Sequence, residues 1–334
     1  MKNYFKFNLT GNKLFPVWLL FIFLYIIPFS IVQKHVQGIS DFHPGDSMSE
    51  MLLRMGSLFS WKALSLLLFV VEYAILFFIY KMTIEGLEFK EKVFAFSGKF
   101  SEFMLLFIGN LLLTIITLGI YAPWFMTAMY KYFARNATFN EHNFEFKGKG
   151  SDLFVIFLVT LIIPMIVIWS IVMIAAFLGG FMKVIMLREM PEFGGLFIMM
   201  MIFATLSVMI IIICFMYYFY KWCVNLSHRG YEIKWETEFW PSAQQILIQV
   251  VLSVITFGIY SPVASLRLYT YFLGKTVARN ETSVKKFGYD LAPGDDFLFI
   301  WGQVLLCIIT IGIYFPWAYC KISDYVLGKT YVEE

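Results

Sequence analysis

One carboxylate, Glu72, stands near the middle of the apolar run Leu64–Tyr80. A carboxylate in hydrocarbon is costly, so it is paired, protonated or turned toward a wet cavity, and it is a functional candidate by default. Arg267 and Lys321 are its candidate partners, each five residues after a motif proline in two different segments. Asp324 follows Lys321 by three residues and can neutralise it on one helix face. These groups form either a structural ion pair or a proton or ion site.

A second set lies in register. An amide, Asn110, Gln249 or Gln303, stands seven residues before a threonine, Thr117, Thr256 or Thr310. Three residues before the same threonine stands Thr114, Ser253 or Cys307. Offsets of four and seven place these groups on one helix face. Such a stripe can glue helices together, at about 0.6 kcal/mol per hydrogen bond. It can also line a path for water or a small solute.

Other chemistries find little support. His35, Asp41, His43, Asp46 and Glu50 crowd the segment Gln33–Ser60 without a metal-ligand signature, which reads as a solvated loop. Cys214, Cys223, Cys307 and Cys320 lack paired spacing and read as packing residues. HExxH, Walker, GxSxG and GxGxxG motifs are absent. The expectation is therefore no enzyme, no catalytic residue, no metal and no cofactor. Phe181–Pro191 reads as an interfacial helix or a contact surface for a partner.

The elements that position these groups are set by a repeat. TLGIYAPW at Thr117–Trp124, TFGIYSPV at Thr256–Val263 and TIGIYFPW at Thr310–Trp317 each separate two apolar runs. In each copy glycine (Gly119, Gly258, Gly312) permits an unusual backbone dihedral, and proline (Pro123, Pro262, Pro316) opens the next helix. The tyrosine (Tyr121, Tyr260, Tyr314) suits a headgroup interface, as does tryptophan where present. Ten apolar runs are counted, the first of them Leu14–Val32, which is too long for a signal peptide and reads as a retained helix. Short aromatic pieces with period-two alternation, among them Tyr4–Phe7, Asn143–Phe146 and Tyr231–Trp235, read as strands between the pairs.

The predicted fold is an all-α polytopic membrane protein. About ten transmembrane helices form five hairpins of the same orientation, joined by short cytoplasmic β-like connectors. The chain is a single integral membrane domain, 1–334, with repeats at approximately 4–89, 94–146, 144–235, 239–283 and 287–331. Lysine and arginine concentrate in the segments between hairpins, which places those segments and both termini in the cytoplasm and the GIYxP turns at the outer side.

Composition agrees. Of 334 residues 60% are hydrophobic and 15% charged, with a mean hydropathy of +0.74, whereas soluble domains are about a quarter charged. A net charge of +3 gives no nucleic-acid footprint. The bilayer is the expected partner.

The pattern F-x-G, N-x3-T-x2-TLGIYxPW, Y-x3-N-x-T and F-x-F-x-G resembles the YjgN-like bacterial inner-membrane proteins, a family of unknown function. The likeness is closest over Phe96–Phe154 and weaker over Phe239–Ser283 and Pro293–Thr330. Val263 departs from the family's tryptophan, and Glu141 and Asn280 depart from its glycines. The resemblance implies a multi-pass inner-membrane protein and assigns no substrate or catalytic residue. Two functions remain open. One is a channel or transporter for a small solute through a polar helix-lined path. The other is a structural or accessory subunit packed against another membrane complex.

Overall fold

A computed structural model describes residues 1–40, 47–182 and 194–333. In chain order, β1 (Lys2–Phe7) leads into α1 (Gly11–Phe21), which continues through a π-turn (Ile22–Ile26) into α2 (Ile27–Ser40), and α3 (Met48–Glu85) follows. Next come β2 (Leu87–Phe89), β3 (Lys92–Val93), β4 (Ala95–Phe96), α4 (Phe100–Ile116) and α5 (Ala122–Asn136). Then follow β5 (Ala137–Phe139), β6 (His142–Asn143), β7 (Glu145–Phe146) and α6 (Gly150–Phe157), which passes through a second π-turn (Leu158–Ile162) into α7 (Ile163–Met182). The chain continues with α8 (Gly194–Cys223), β8 (Asn225–His228), β9 (Tyr231–Trp235), α9 (Phe239–Ile255), α10 (Ser261–Gly274), β10 (Thr276–Arg279) and β11 (Val284–Tyr289). It closes with α11 (Pro293–Ile309), α12 (Phe315–Gly328) and β12 (Thr330–Glu333).

The expectation of an all-α fold with ten transmembrane helices in five hairpins is corrected. Among the described residues only four helical stretches are long and apolar enough to cross a bilayer: Gly11–Ile39, Met48–Glu85, Gly150–Ala175 and Ile198–Cys223. The helices flanking the GIYxP turns have 14 to 17 residues, below the roughly 20 that a span needs. Apolar composition alone does not distinguish such short helices from spans. The strand pieces are also more than connectors, since nine strands pair in antiparallel sheet order and three more form a small sheet.

Two compact units result. The first is built from Met1–Leu112, Arg135–Phe144 and Ala292–Val332. It holds the ladder β3-β2-β1-β12 and the sheet β4-β5-β6, over a buried cluster of Phe7, Leu9, Leu14 and Cys320. The second is built from Leu113–Ala134 and Glu145–Leu291. It holds the ladder β11-β10-β9-β8-β7 and a cluster of Phe146, Leu153 and Trp222.

Three tight antiparallel connections explain why such short strands pair at all. Lys90-Glu91, Asn140-Glu141 and Arg229-Gly230 each place two successive residues at positive φ, as two-residue type I′ loops require. Glu141, at φ 68, therefore occupies a position that glycine fills with less strain. Asn280 departs differently: its side-chain oxygen accepts the backbone N–H groups of Thr282 and Ser283 at 3.0 and 2.7 Å, so the amide itself builds that turn.

Each π-turn ends two residues before a proline, Pro28 or Pro164. Proline lacks an N–H and its ring collides with the carbonyl four residues back, and the wider turn accommodates both defects. Both sites fall inside bilayer-length stretches.

Candidate functional site

The three GIYxP turns share one geometry. Gly258 N–H donates to the Ser253 carbonyl at 2.7 Å, and Phe257 N–H donates to the Val254 carbonyl at 3.0 Å, the pattern of a Schellman helix end. The glycines Gly119, Gly258 and Gly312 have φ of 91, 84 and 82. The residues before them, Leu118, Phe257 and Ile311, have φ of 50 to 52 and are 93%, 96% and 92% exposed. The motif threonine works in both directions. Thr310 Oγ1 donates to the Leu306 carbonyl at 2.8 Å and accepts Tyr314 N–H at 3.0 Å. Thr117 and Thr256 repeat this. Thr310→Val removes the oxygen that caps the next helix and is expected to lower stability by about 1 kcal/mol. Thermal unfolding in detergent reads this loss, and an unchanged midpoint would count against the capping role.

The amides, tyrosines and cations singled out in the sequence come together in two places. In α11–α12 the Tyr314 hydroxyl donates to Gln303 Oε1 at 3.0 Å and accepts from Lys321 Nζ at 2.9 Å. In α9–α10 the Tyr260 hydroxyl donates to Gln249 Oε1 at 3.2 Å, and the Arg267 guanidinium lies over the Tyr260 ring at 5.9 Å. The tyrosine is thus the centre of each cluster, a role that sequence reasoning missed by treating it as an interfacial anchor. The signal was present: all three groups recur at the same spacing between Gln249 and Gln303. The third copy departs, with Ala128 in the cation's place and Asn110 Nδ2 donating to the Leu106 carbonyl at 2.7 Å.

In this register the Ser253 side chain bonds back onto its own helix, and the Thr114 backbone takes part in closing its turn. Ser253 Oγ donates to the Gln249 carbonyl at 2.8 Å, and the Thr114 carbonyl accepts Gly119 N–H at 2.8 Å. Gln249 and Ser253 border a cleft of about 470 Å³ whose other walls include Val250, Val254 and Phe257. A second cleft, about 630 Å³, lies at the matching register in α11–α12, bordered by Val304, Cys307, Ile308 and Ile311.

The motif tryptophan has a packing role. Trp317 lies against Gly11, and its Nε1 donates to Asn12 Oδ1 at 2.9 Å. In the second unit Trp124 lies against Gly150 and its ring meets Phe154 at 5.3 Å. Each tryptophan clasps the glycine that opens a bilayer-length helix. Val263 replaces tryptophan in the copy followed by α11, and a Cβ at Gly294, near the start of α11, would meet nothing within 4 Å.

A network outside the predicted set lies at the base of α11–α12. Asp296, 0% exposed, accepts from Lys329 Nζ at 2.5 Å, the Tyr325 hydroxyl at 2.9 Å and Ala292 N–H at 3.0 Å. Burial by itself raises this carboxyl's pKa, but the Lys329, Ala292 and Tyr325 hydrogen bonds outweigh it and hold the group below its ordinary value. Lys329 is correspondingly raised: burial lowers it, and the bonds to Asp296 and Tyr325 prevail. The counterpart of Asp296 in α9–α10 is Ser242, also 0% exposed and 3.0 Å from the Tyr271 hydroxyl.

Glu72 lies elsewhere. Its partner is the Tyr25 hydroxyl, carried by the first π-turn. Lys321 and Arg267, its expected partners, are engaged with tyrosines instead. Asp324 is exposed and, with Lys321, Asn12 and Trp317, borders a cavity of about 500 Å³. Of the His/Asp/Glu loop, Asp41, His43 and Asp46 fall outside the described residues. His35 stacks on Trp61 at 4.5 Å, and Glu50 closes a capping box with Ser47. Among the described residues no three His, Cys, Asp or Glu side chains gather as a metal site. Cys320 is buried, which pushes its thiol up to about 11. Phe181–Pro191 lies outside the described residues beyond Met182.

Three overlapping segments, residues 2–124, 91–187 and 144–290, match the family described as "Bacterial protein of unknown function (DUF898)". No curated protein and no solved structure matches the chain.

Proposed function

This chain belongs to the YjgN-like DUF898 family of bacterial proteins of unknown function, and we propose that it serves as a non-catalytic structural or accessory subunit of a membrane complex. Four bilayer-length apolar helices among the described residues support its association with a membrane. The Lys/Arg distribution favours the bacterial inner membrane as a multi-pass protein, with both termini and the strands cytoplasmic. One observation carries the accessory reading. The polar groups that would line a path are closed on one another, Gln249 on Tyr260 and Gln303 on Tyr314. Such closed pairs act as glue between helices. Mild-detergent purification of the full-length tagged protein from its own membranes is expected to recover a stoichiometric heteromeric partner. Recovery of the chain alone, together with solute flux in proteoliposomes, would reject the reading.

A proton or ion pathway is the second reading, favoured by Glu72 and Tyr25. A half-buried carboxylate inside a bilayer-length helix meets a hydroxyl on a π-turn, and both features concentrate at functional positions. On this reading Glu72→Gln abolishes ion flux into proteoliposomes while leaving the unfolding midpoint in place. Equal flux in the two proteins removes the pathway.

A further inference from the structure

The α11–α12 turn can be placed along a bilayer-length helix. Trp18 Nε1 donates to the Gly312 carbonyl at 3.0 Å, and the Trp18 ring stacks on Phe315 at 4.4 Å. Trp18 lies seven residues into the 29-residue stretch Gly11–Ile39, about 10 Å from its start at ~1.5 Å per residue. Some 30 Å of helix continues past it. The turn therefore sits near the end of this stretch that is joined to β1.

The turn's surface suits hydrocarbon. Ile311 is 92% exposed and Ile313 53%. A branched side chain in a left-handed position is an outlier, and glycine or asparagine is the ordinary choice where such a turn meets water. Exposed Leu305, Ile308 and Ile309 extend the apolar surface down α11. The cleft beside Ile311 and Phe315 continues it along α12 to Ile322. Lys321 follows about 9 Å along α12 from Phe315, where a cation behind an apolar tip matches the phosphates of a single leaflet. Leu118 with Ile120, and Phe257 with Ile259, repeat the exposed pair. Arg267 repeats the cation behind the second of these turns.

We propose that the three GIYxP turns are dipping tips. Each ends among phospholipid acyl chains of the leaflet beside the strands of its own unit and does not emerge on the far side of the membrane. This holds whether the protein conducts or scaffolds.

The test uses the full-length chain in phospholipid vesicles, with Cys214, Cys223, Cys307 and Cys320 replaced by alanine. Nitroxide labels at Phe257→Cys and Ile311→Cys are expected to collide several-fold more often with oxygen than with a water-soluble nickel chelate. A label at Glu281→Cys, in the exposed β10–β11 turn, should show the reverse. Nickel-accessible tips, or tips labelled from the far side by an impermeant thiol reagent, overturn the proposal. Ile311→Asn on the otherwise native protein gives an independent reading. Asparagine suits a left-handed position better than isoleucine, so in water it would strengthen the turn. In vesicles the dipping tip predicts a lower unfolding midpoint for this variant, and a midpoint at or above that of the native chain sinks it.

Discussion

Asp296→Ala is expected to destabilise the protein by about 3 kcal/mol, the lower end for breaking a buried pair, because it strands the Lys329 ammonium, whose side chain is 25% exposed, beside the half-buried Tyr325 hydroxyl. Three hydrogen bonds converge on this one carboxylate, and none can be replaced by water at a residue that is 0% exposed. Chemical or thermal unfolding in detergent measures the loss; a change below about 1 kcal/mol, the range of exposed ion pairs, would reject a buried, coupled role. The pair also predicts a pH profile. A carboxyl held below its ordinary value of about 3.9 contributes stability above that pH and loses it as pH falls through the depressed value. A lysine held above about 10.4 contributes below that pH and loses its contribution as pH rises through the raised value. The native protein should therefore show a plateau between these limits with a fall on either side. Asp296→Asn should flatten both falls, and an unaltered profile would show that other groups set them.

Gly11→Ala is expected to cost about 3 kcal/mol, at the upper end of overpacking losses. A Cβ there would lie 2.5 and 2.6 Å from Trp317 ring atoms and 2.8 Å from the Trp317 Cα. The ring can swing aside, but the Cα can move only if α12 moves away from α1. Gly150→Ala meets ring atoms of Trp124 at 2.5 and 2.8 Å, so a smaller loss is expected there. Gly294→Ala, with nothing within 4 Å, should stay within about 0.5 kcal/mol of the native chain. Unfolding midpoints of the three variants in one detergent test the order. Equal losses at Gly11 and Gly294 would refute the clasp.

The sequence went furthest where chemistry is local. The GIYxP copies specify their turn through contacts within a few residues, because glycine at positive φ and a threonine oxygen suffice to end one helix and cap the next. The amide and cation registers were also legible as periodic offsets. Their shared partner was not, because Tyr314 joins Gln303 and Lys321 only after the chain reverses direction. Glu72 shows the opposite failure. Charge alone pointed it toward Arg267 and Lys321, whereas a widened turn before Pro28 brings Tyr25 to it.

By itself, then, the sequence determined that this is a membrane-associated chain with three like turns and short alternating strands. Composition, glycine conformation and side-chain period act over a few residues and need no knowledge of neighbours. Tertiary structure alone decided how many helices are long enough to cross, which strands form ladders, and that Trp317 and Trp124 grip Gly11 and Gly150. It also decided that Asp296 is buried and paired with Lys329. The physical reason is common to all four. Burial, strand pairing and the distance that a helix travels depend on residues far apart in the chain, and hydrophobicity counted along a segment does not register them.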